Sequence, residues 1–269
     1  MSEKIYVRKV ETWTISSASE PIEVNVEALR NCEPPYEGNS DEELAMYLYN
    51  EVYNNYEWYE NETNKEVYNS GIDVRFSGST CVSLLTFGKR IYCNNVGDSR
   101  AIMIRANSIT DPAPQAIALS RDHKPDDPDE SKVILESGGR IDSYRDEHGN
   151  QVGPMRVWLK NENLPGLAMS RSFGDSTAAR VGVNAVPEVM MFDMTPEDRV
   201  LVLASDGVWE FLENQKVANI VYPFYAQRNA EGAGEALVRA AYKRWKKEGE
   251  SVVDDITCIV VFLDIKKKE

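Results

Sequence analysis

Asp206 closes an apolar run, Val200 to Ala204, and stands directly ahead of a glycine. A carboxylate at a strand end, beside a residue with no side chain, sits where other backbone can approach closely. Asp254 and Asp255 hold the mirror position, immediately before the apolar run Ile256 to Leu263. If the two runs are neighbouring strands, their carboxylates converge at one sheet edge. Convergent carboxylates bind hard divalent cations such as magnesium or manganese. Acids at strand ends are also common turn residues, so the spacing alone leaves a metal site and an ordinary turn both open.

The elements that must position these acids can be read from hydrophobic patterning. Cys81 to Thr86, Arg90 to Val96 and Arg100 to Arg105 are short β-rich runs, separated by Gly88-Lys89 and Gly97-Asp98. They predict an antiparallel meander with tight turns. Val200 to Ala204 and Ile256 to Leu263 predict two more strands, and Ile5 to Thr14 a further one. Ser40 opens a capping box with Glu43, and Leu44, Leu48, Val52 and Tyr56 follow at spacing four, which predicts an amphipathic helix. Asp127-Pro128 with Glu130 starts another helix that Gly138-Gly139 stops. Two more helices are predicted, one within Asn214 to Ala226 and one from Glu235 to Lys247. Residues 142–166 read as a polar loop.

Composition narrows the function classes. The chain has 269 residues, with 30 basic and 44 acidic side chains and a formal charge of −14. That balance argues against general nucleic-acid binding, but it suits a metal enzyme. The longest apolar run is about eight residues, short of the roughly 20 that span a bilayer, and the opening MSEKIYVRKV has no apolar signal core. Four cysteines without C-x-x-C spacing predict a reducing compartment. The expectation is a soluble cytoplasmic monomer, without excluding the nucleus, that has no nucleic-acid or membrane partner. Residues 31–66 hold ten acids and one base, which reads as a solvated helix face or a docking surface for a basic partner. Lys266 to Lys268 read as a frayed tail.

The order of motifs adds more. Ser77-Gly78-Ser79-Thr80 is followed by Asn95-Val96-Gly97-Asp98-Ser99-Arg100, then by Arg121-Asp122-His123-Lys124-Pro125 and Gly138-Gly139-Arg140-Ile141. Next come Leu167-Ala168-Met169-Ser170-Arg171-Ser172-Phe173-Gly174-Asp175 and Pro187-Glu188-Val189. Ala204-Ser205-Asp206-Gly207-Val208-Trp209 and Asp254-Asp255-Ile256-Thr257 complete the series. This order resembles the type 2C, metal-dependent Ser/Thr protein phosphatases (the PPM family), in their plant and protist versions. The resemblance covers residues 77–263, about two-thirds of the chain.

The resemblance implies an α+β fold: two antiparallel β-sheets in a sandwich flanked by α-helices, as one domain over residues 1–269. Residues 77–265 are its family-matching core, 41–76 a helix and loop, and 1–40 an atypical N-terminal segment. It also implies a binuclear magnesium or manganese site that delivers an activated water to a phosphoserine or phosphothreonine of a phosphoprotein substrate. Asp206 and Asp254 match metal ligands, with Asp255 where Asn is usual. Asp98 and Glu210 fall where a third, weaker metal binds in some members, and residues 176–186 take the place of the variable flap. No side chain of this chain is assigned a catalytic role.

Other motif residues carry bland readings. Gly97, Gly138, Gly139 and Gly174 are turn and cap glycines. Arg100 and Arg171 brace loops through carboxylates, and Trp209 packs beside the Asp206 turn. The family's Arg and Met-Glu-Asp segment and its Asp-Gly-His-Gly-Gly motif are not found in this sequence, whose single Asp-Gly is at Asp206. Neither His123 nor His148 replaces the missing histidine. Three readings stand: a family phosphatase with a shortened N-terminus, a pseudophosphatase that binds phosphoproteins, or an active enzyme drawing replacement ligands from Glu20, Glu23 or Glu27.

Overall fold

The computed structural model describes residues 10–15, 67, 71–87, 89–248 and 253–265, residues 10–15 by their backbone alone. The helix expected after Ser40, the acid-rich stretch 31–66, Glu20, Glu23, Glu27 and the lysine tail lie outside the described residues.

Five strands form the main sheet: β1 (Val10–Ile15), β5 (Arg100–Arg105), β6 (Gln115–Ala118), β12 (Asp198–Ala204) and β13 (Ile256–Phe262), in the order β1-β13-β12-β5-β6. Every pairing in it is antiparallel. A three-stranded sheet, β11-β4-β3, is built from β3 (Cys81–Phe87), β4 (Arg90–Val96) and β11 (Glu188–Asp193). Between the two sheets lie Ile91, Cys93, Ala101, Met103, Leu201 and Val261, all buried. The alternate residues of the main sheet, Ile102, Ile104, Val200, Val202, Cys258 and Val260, pack on its other face against helices. A strand buried on both faces reads as a continuous apolar run, which is why β12 and β13 stand out in the sequence.

Those helices are α4 (Asn214–Val221) and α5 (Ala230–Lys247); α1 (Pro128–Glu136), α2 (Ser176–Ala179) and α3 (Asp206–Trp209) precede them. The buried residues of α5 are Ala230, Ala233, Gly234, Leu237, Val238 and Ala241. Their three- and four-residue spacing puts one small-residue stripe on the sheet. The helix begins five residues before the expected start, because the Asn229 side chain accepts from the Gly232 amide at 2.8 Å and caps it there. Arg244, Lys246 and Lys247 fill its last turn, where cations complement the helix dipole.

The expected loop at 142–166 is corrected by the structure. β7 (Gly139–Arg145) and β8 (Gln151–Leu159) form a hairpin, with β9 (Pro165–Leu167) on its edge. The hairpin buries side chains mainly toward its base, where Val157 and Leu159 meet Ile134, Ala178 and Val181. Its outer half is solvated, so apolar and polar residues never alternate cleanly. β2 (Gly78–Ser79) and β10 (Phe173–Gly174) make a short separate antiparallel pair.

Candidate active site

β12 ends at Ala204, opposite Cys258 of β13. The exit of one strand and the entrance of the other therefore share one end of the main sheet. The Ser205 amide donates to the Thr257 carbonyl at 3.0 Å. The Ser205 hydroxyl donates to the Asp255 carbonyl and accepts from the Thr257 amide, both at 3.1 Å. Gly207 completes the joint: a Cβ there would stand 2.2 Å from the Asp255 carbonyl oxygen. Only a residue without a side chain lets the two segments come this close. The turn is held from below by Trp209, whose indole donates to the Ala204 carbonyl, and by Trp245, whose indole donates to the Gly207 carbonyl, each at 2.8 Å.

Ala204 also pairs with Arg100 of β5, so the β4–β5 turn, Gly97-Asp98-Ser99, reaches the same sheet end. Gly97 has φ +99°, and its amide donates to His123 Nδ1 at 3.0 Å. The His123 amide donates back to the Gly97 carbonyl, and Asn95 Nδ2 bridges the Gly97 and Arg121 carbonyls. Arg100 grips both oxygens of Asp122 at 2.7 Å, reaches Asn214 and lies over the Trp209 ring at 5.0 Å. It braces a loop through a carboxylate, as does Arg171, which clasps the buried Glu130 at 2.6 Å. His123 is fully buried, and His148 lies on an exposed turn.

The electrostatics show which acids face one another. Burial, then the negative charges of Asp98 and Asp254, push the Asp206 carboxyl up to about 6 against the opposing pull of Lys124. Asp206 is thus the centre of a carboxylate group with Asp98 and Asp254. Lys124 donates to Asp98 Oδ2 at 2.5 Å. Burial works to lower its ammonium, but the charge and hydrogen bond of Asp98, with Asp122 and Glu210, carry it above the ordinary lysine value. In the sequence Lys124 stood only as one residue of the Arg121-to-Pro125 motif. A sign of its role was available: several acids brought to one place need a counter-charge.

Asp98 and Asp122 each have a direct cationic partner, Lys124 and Arg100. No such partner pairs with Asp206 or Asp254 among the described residues. Two hard-oxygen donors without a paired cation suit magnesium or manganese in kind. Among the described residues, no set of three or more His, Cys, Asp or Glu side chains is arranged to hold a metal. Asp206 and Asp254 alone fall short of such a set.

The family profile described as Protein phosphatase 2C matches residues 38–248. The chain belongs to the protein phosphatase 2C family. It is 42% identical over 193 residues to "Probable protein phosphatase 2C 12" of Oryza sativa subsp. japonica, a match covering 71% of this chain and 47% of that protein. It is 37% identical over 233 residues to "Probable protein phosphatase 2C 72" of Arabidopsis thaliana, covering 86% of this chain and 67% of that one. The chain thus spans about half to two-thirds of the length of these two curated relatives. Among solved structures, the serine-threonine phosphatase 2C from Toxoplasma gondii superposes with a TM-score of 0.68 at 26% identity, over 88% of this chain and 73% of that one. The two-sheet, helix-flanked α+β fold expected from the motifs is the fold of this protein phosphatase 2C family member.

Proposed function

We propose that this chain is a protein phosphatase domain that hydrolyses phosphoserine or phosphothreonine esters of phosphoproteins, with Asp206 and Asp254 as carboxylate ligands for magnesium or manganese. The observation that carries this is the meeting of β12 and β13 at Gly207, which brings two unneutralised acids to one sheet end in a member of this family. The bound cations supply Lewis acidity, which activates water and neutralises phosphoryl oxygens. The chain's own residues do the positioning. Ser205 and Gly207 hold Asp206 against the 254–256 segment. Trp209 and Trp245 keep the turn from swinging out. No protein nucleophile is required, which agrees with the inert state of Cys93 and Cys258, whose thiols burial pushes up to about 12.

A second reading, a pseudophosphatase that binds phosphoproteins without hydrolysing them, is favoured by the partial ligand set among the described residues. Hydrolysis of a phosphothreonine peptide at millimolar manganese, comparing the chain with Asp206→Asn, separates the two. A metal-dependent rate that the variant loses supports the enzyme. No rate above background, with phosphopeptide binding retained, supports the pseudophosphatase.

A further inference from the structure

One surface of the β7–β8 hairpin takes no part in the site end. Four side chains on it form a ladder in which cations and rings touch in turn. Arg140 lies over the Trp158 ring at 5.4 Å, Trp158 meets Tyr144 edge to face at 5.3 Å, and Arg156 lies over the Tyr144 ring at 4.8 Å. The ladder is fixed by the backbone around it. The Trp158 indole donates to the Asp142 carbonyl at 2.9 Å, and a Cβ on Gly166 would stand 2.7 Å from the Trp158 ring. Arg156 Nη1 donates to the Gly166 carbonyl at 2.7 Å.

This surface is open to solvent. Tyr144 and Val152 are cross-strand partners, so they share a face, and each is 50% exposed. Tyrosine, tryptophan and arginine are also the side chains enriched where protein interfaces concentrate their binding energy.

The charges select the kind of partner. Asp142 is shared by Arg140 at 3.7 Å and Arg145 at 3.3 Å. Arg156 pairs with no carboxylate among the described residues, and its buried Nε has no hydrogen-bond partner. Asp146, at the hairpin turn, is taken up by the His148 and Asn150 amides at 2.9 and 2.8 Å. Arg140, Arg145 and Arg156 thus set three positive charges against the Asp142 carboxylate, in a chain whose formal charge is −14. A cationic, ring-lined surface is complementary to a segment that is both acidic and apolar.

We propose that this face of the hairpin docks an acidic segment, carrying apolar side chains, of the phosphoprotein on which the chain acts, at a distance from the phosphorylated residue. Arg140 and Arg156 take its carboxylates, and Tyr144 with Val152 takes its apolar side chains. These residues hold the partner and touch no reacting atom. The inference rests on the reading of the chain as a domain that acts on phosphoproteins, and its first test needs no turnover.

That test uses the fluorescein-labelled peptide Glu-Glu-Leu-Glu-Glu-Leu, which carries no phosphate, read by fluorescence anisotropy. It should bind the unmodified chain, more weakly as salt rises, and Lys-Lys-Leu-Lys-Lys-Leu should not bind. Tyr144→Ala and Arg156→Met should each weaken binding about tenfold, the scale of an interface anchor. Val152→Asp, at an exposed position, should weaken it as much with an unmodified Tm. Arg239→Met removes an exposed cation from α5 and should leave binding unchanged. In a second arm, the same stretch is joined to a phosphothreonine peptide through a Gly-Ser linker of about 20 residues. It should lower KM at least about tenfold with kcat unchanged, and Tyr144→Ala should erase that gain. No binding of the acidic peptide, equal binding of the basic one, or full binding by folded Val152→Asp overturns the proposal. So does binding without any fall in KM. If no phosphothreonine peptide is hydrolysed, the phosphatase reading fails, and the anisotropy arm still decides whether the surface docks acidic segments.

Discussion

Replacing Gly207 by alanine tests the joint that brings Asp206 and Asp254 together. The new methyl would lie 2.2 Å from the Asp255 carbonyl oxygen, 2.9 Å from its carbon and 3.2 Å from Ile256 Cα. All three are backbone atoms, so no flexible side-chain tip can swing away. Reaching even a tight 3.0 Å contact needs a retreat of about 0.8 Å. Alanine also favours helix over glycine by about 1 kcal/mol, and Gly207 lies in α3. Overpacking costs about 1–3 kcal/mol and should outweigh that gain, because the Ser205 bonds to Asp255 and Thr257 must stretch with it. The expected result is a lower Tm and weaker manganese binding. Phosphopeptide hydrolysis should fall roughly 10²-fold, the scale for a displacement near 1 Å. Thermal melts, calorimetry and initial rates measure these in one preparation. A Gly207→Ala protein with unmodified Tm, manganese affinity and rate would refute the reasoning that this close approach builds the site.

Three further outcomes rest on charges. In chelator-treated protein, Asp206 ionises near 6 when folded against an ordinary 3.8, so its contribution to stability is full below about 3.8 and is lost as pH rises through 6. Asp206→Asn should therefore stabilise the metal-free chain at pH 7 by on the order of 2 kcal/mol and bring no such gain near pH 4, as urea denaturation would read. His123 shifts the opposite way. Burial, then the Arg171 charge, lower it to about 4 from 6.5, so its contribution is full above 6.5 and fades as pH falls toward 4; His123→Gln should flatten that decline in thermal melts. Arg171→Met leaves Glu130 buried without its bidentate partner, a loss of about 3 kcal/mol for a broken buried pair, and Tm should drop by several degrees.

What could be read in the sequence divides along physical lines. β3 and β4 were legible as short β-rich runs divided at Gly88-Lys89, but the predicted meander does not continue into β5, which pairs with β12 and β6 in the other sheet; β12 and β13 were legible because both faces are buried. The Asp206–Asp254 proximity was legible as a conditional, since it needed only that two strands be neighbours, and they are. The β7–β8 hairpin was not, because its solvated half hides a period of two behind charged residues. α5 starts ahead of the expected Glu235 because Asn229 caps it before Gly232 and Gly234. Lys124 was hidden for a different reason. Its partner Asp98 lies 26 positions away in sequence, and no periodicity encodes such a contact.

The most direct test is the rate of phosphothreonine-peptide hydrolysis as manganese is titrated, for the chain and for Asp206→Asn at equal folded concentration. The account predicts a rate that rises with manganese in the unmodified chain and is absent from the variant. A manganese-dependent rate of equal size in both, or none in the unmodified chain, would contradict it.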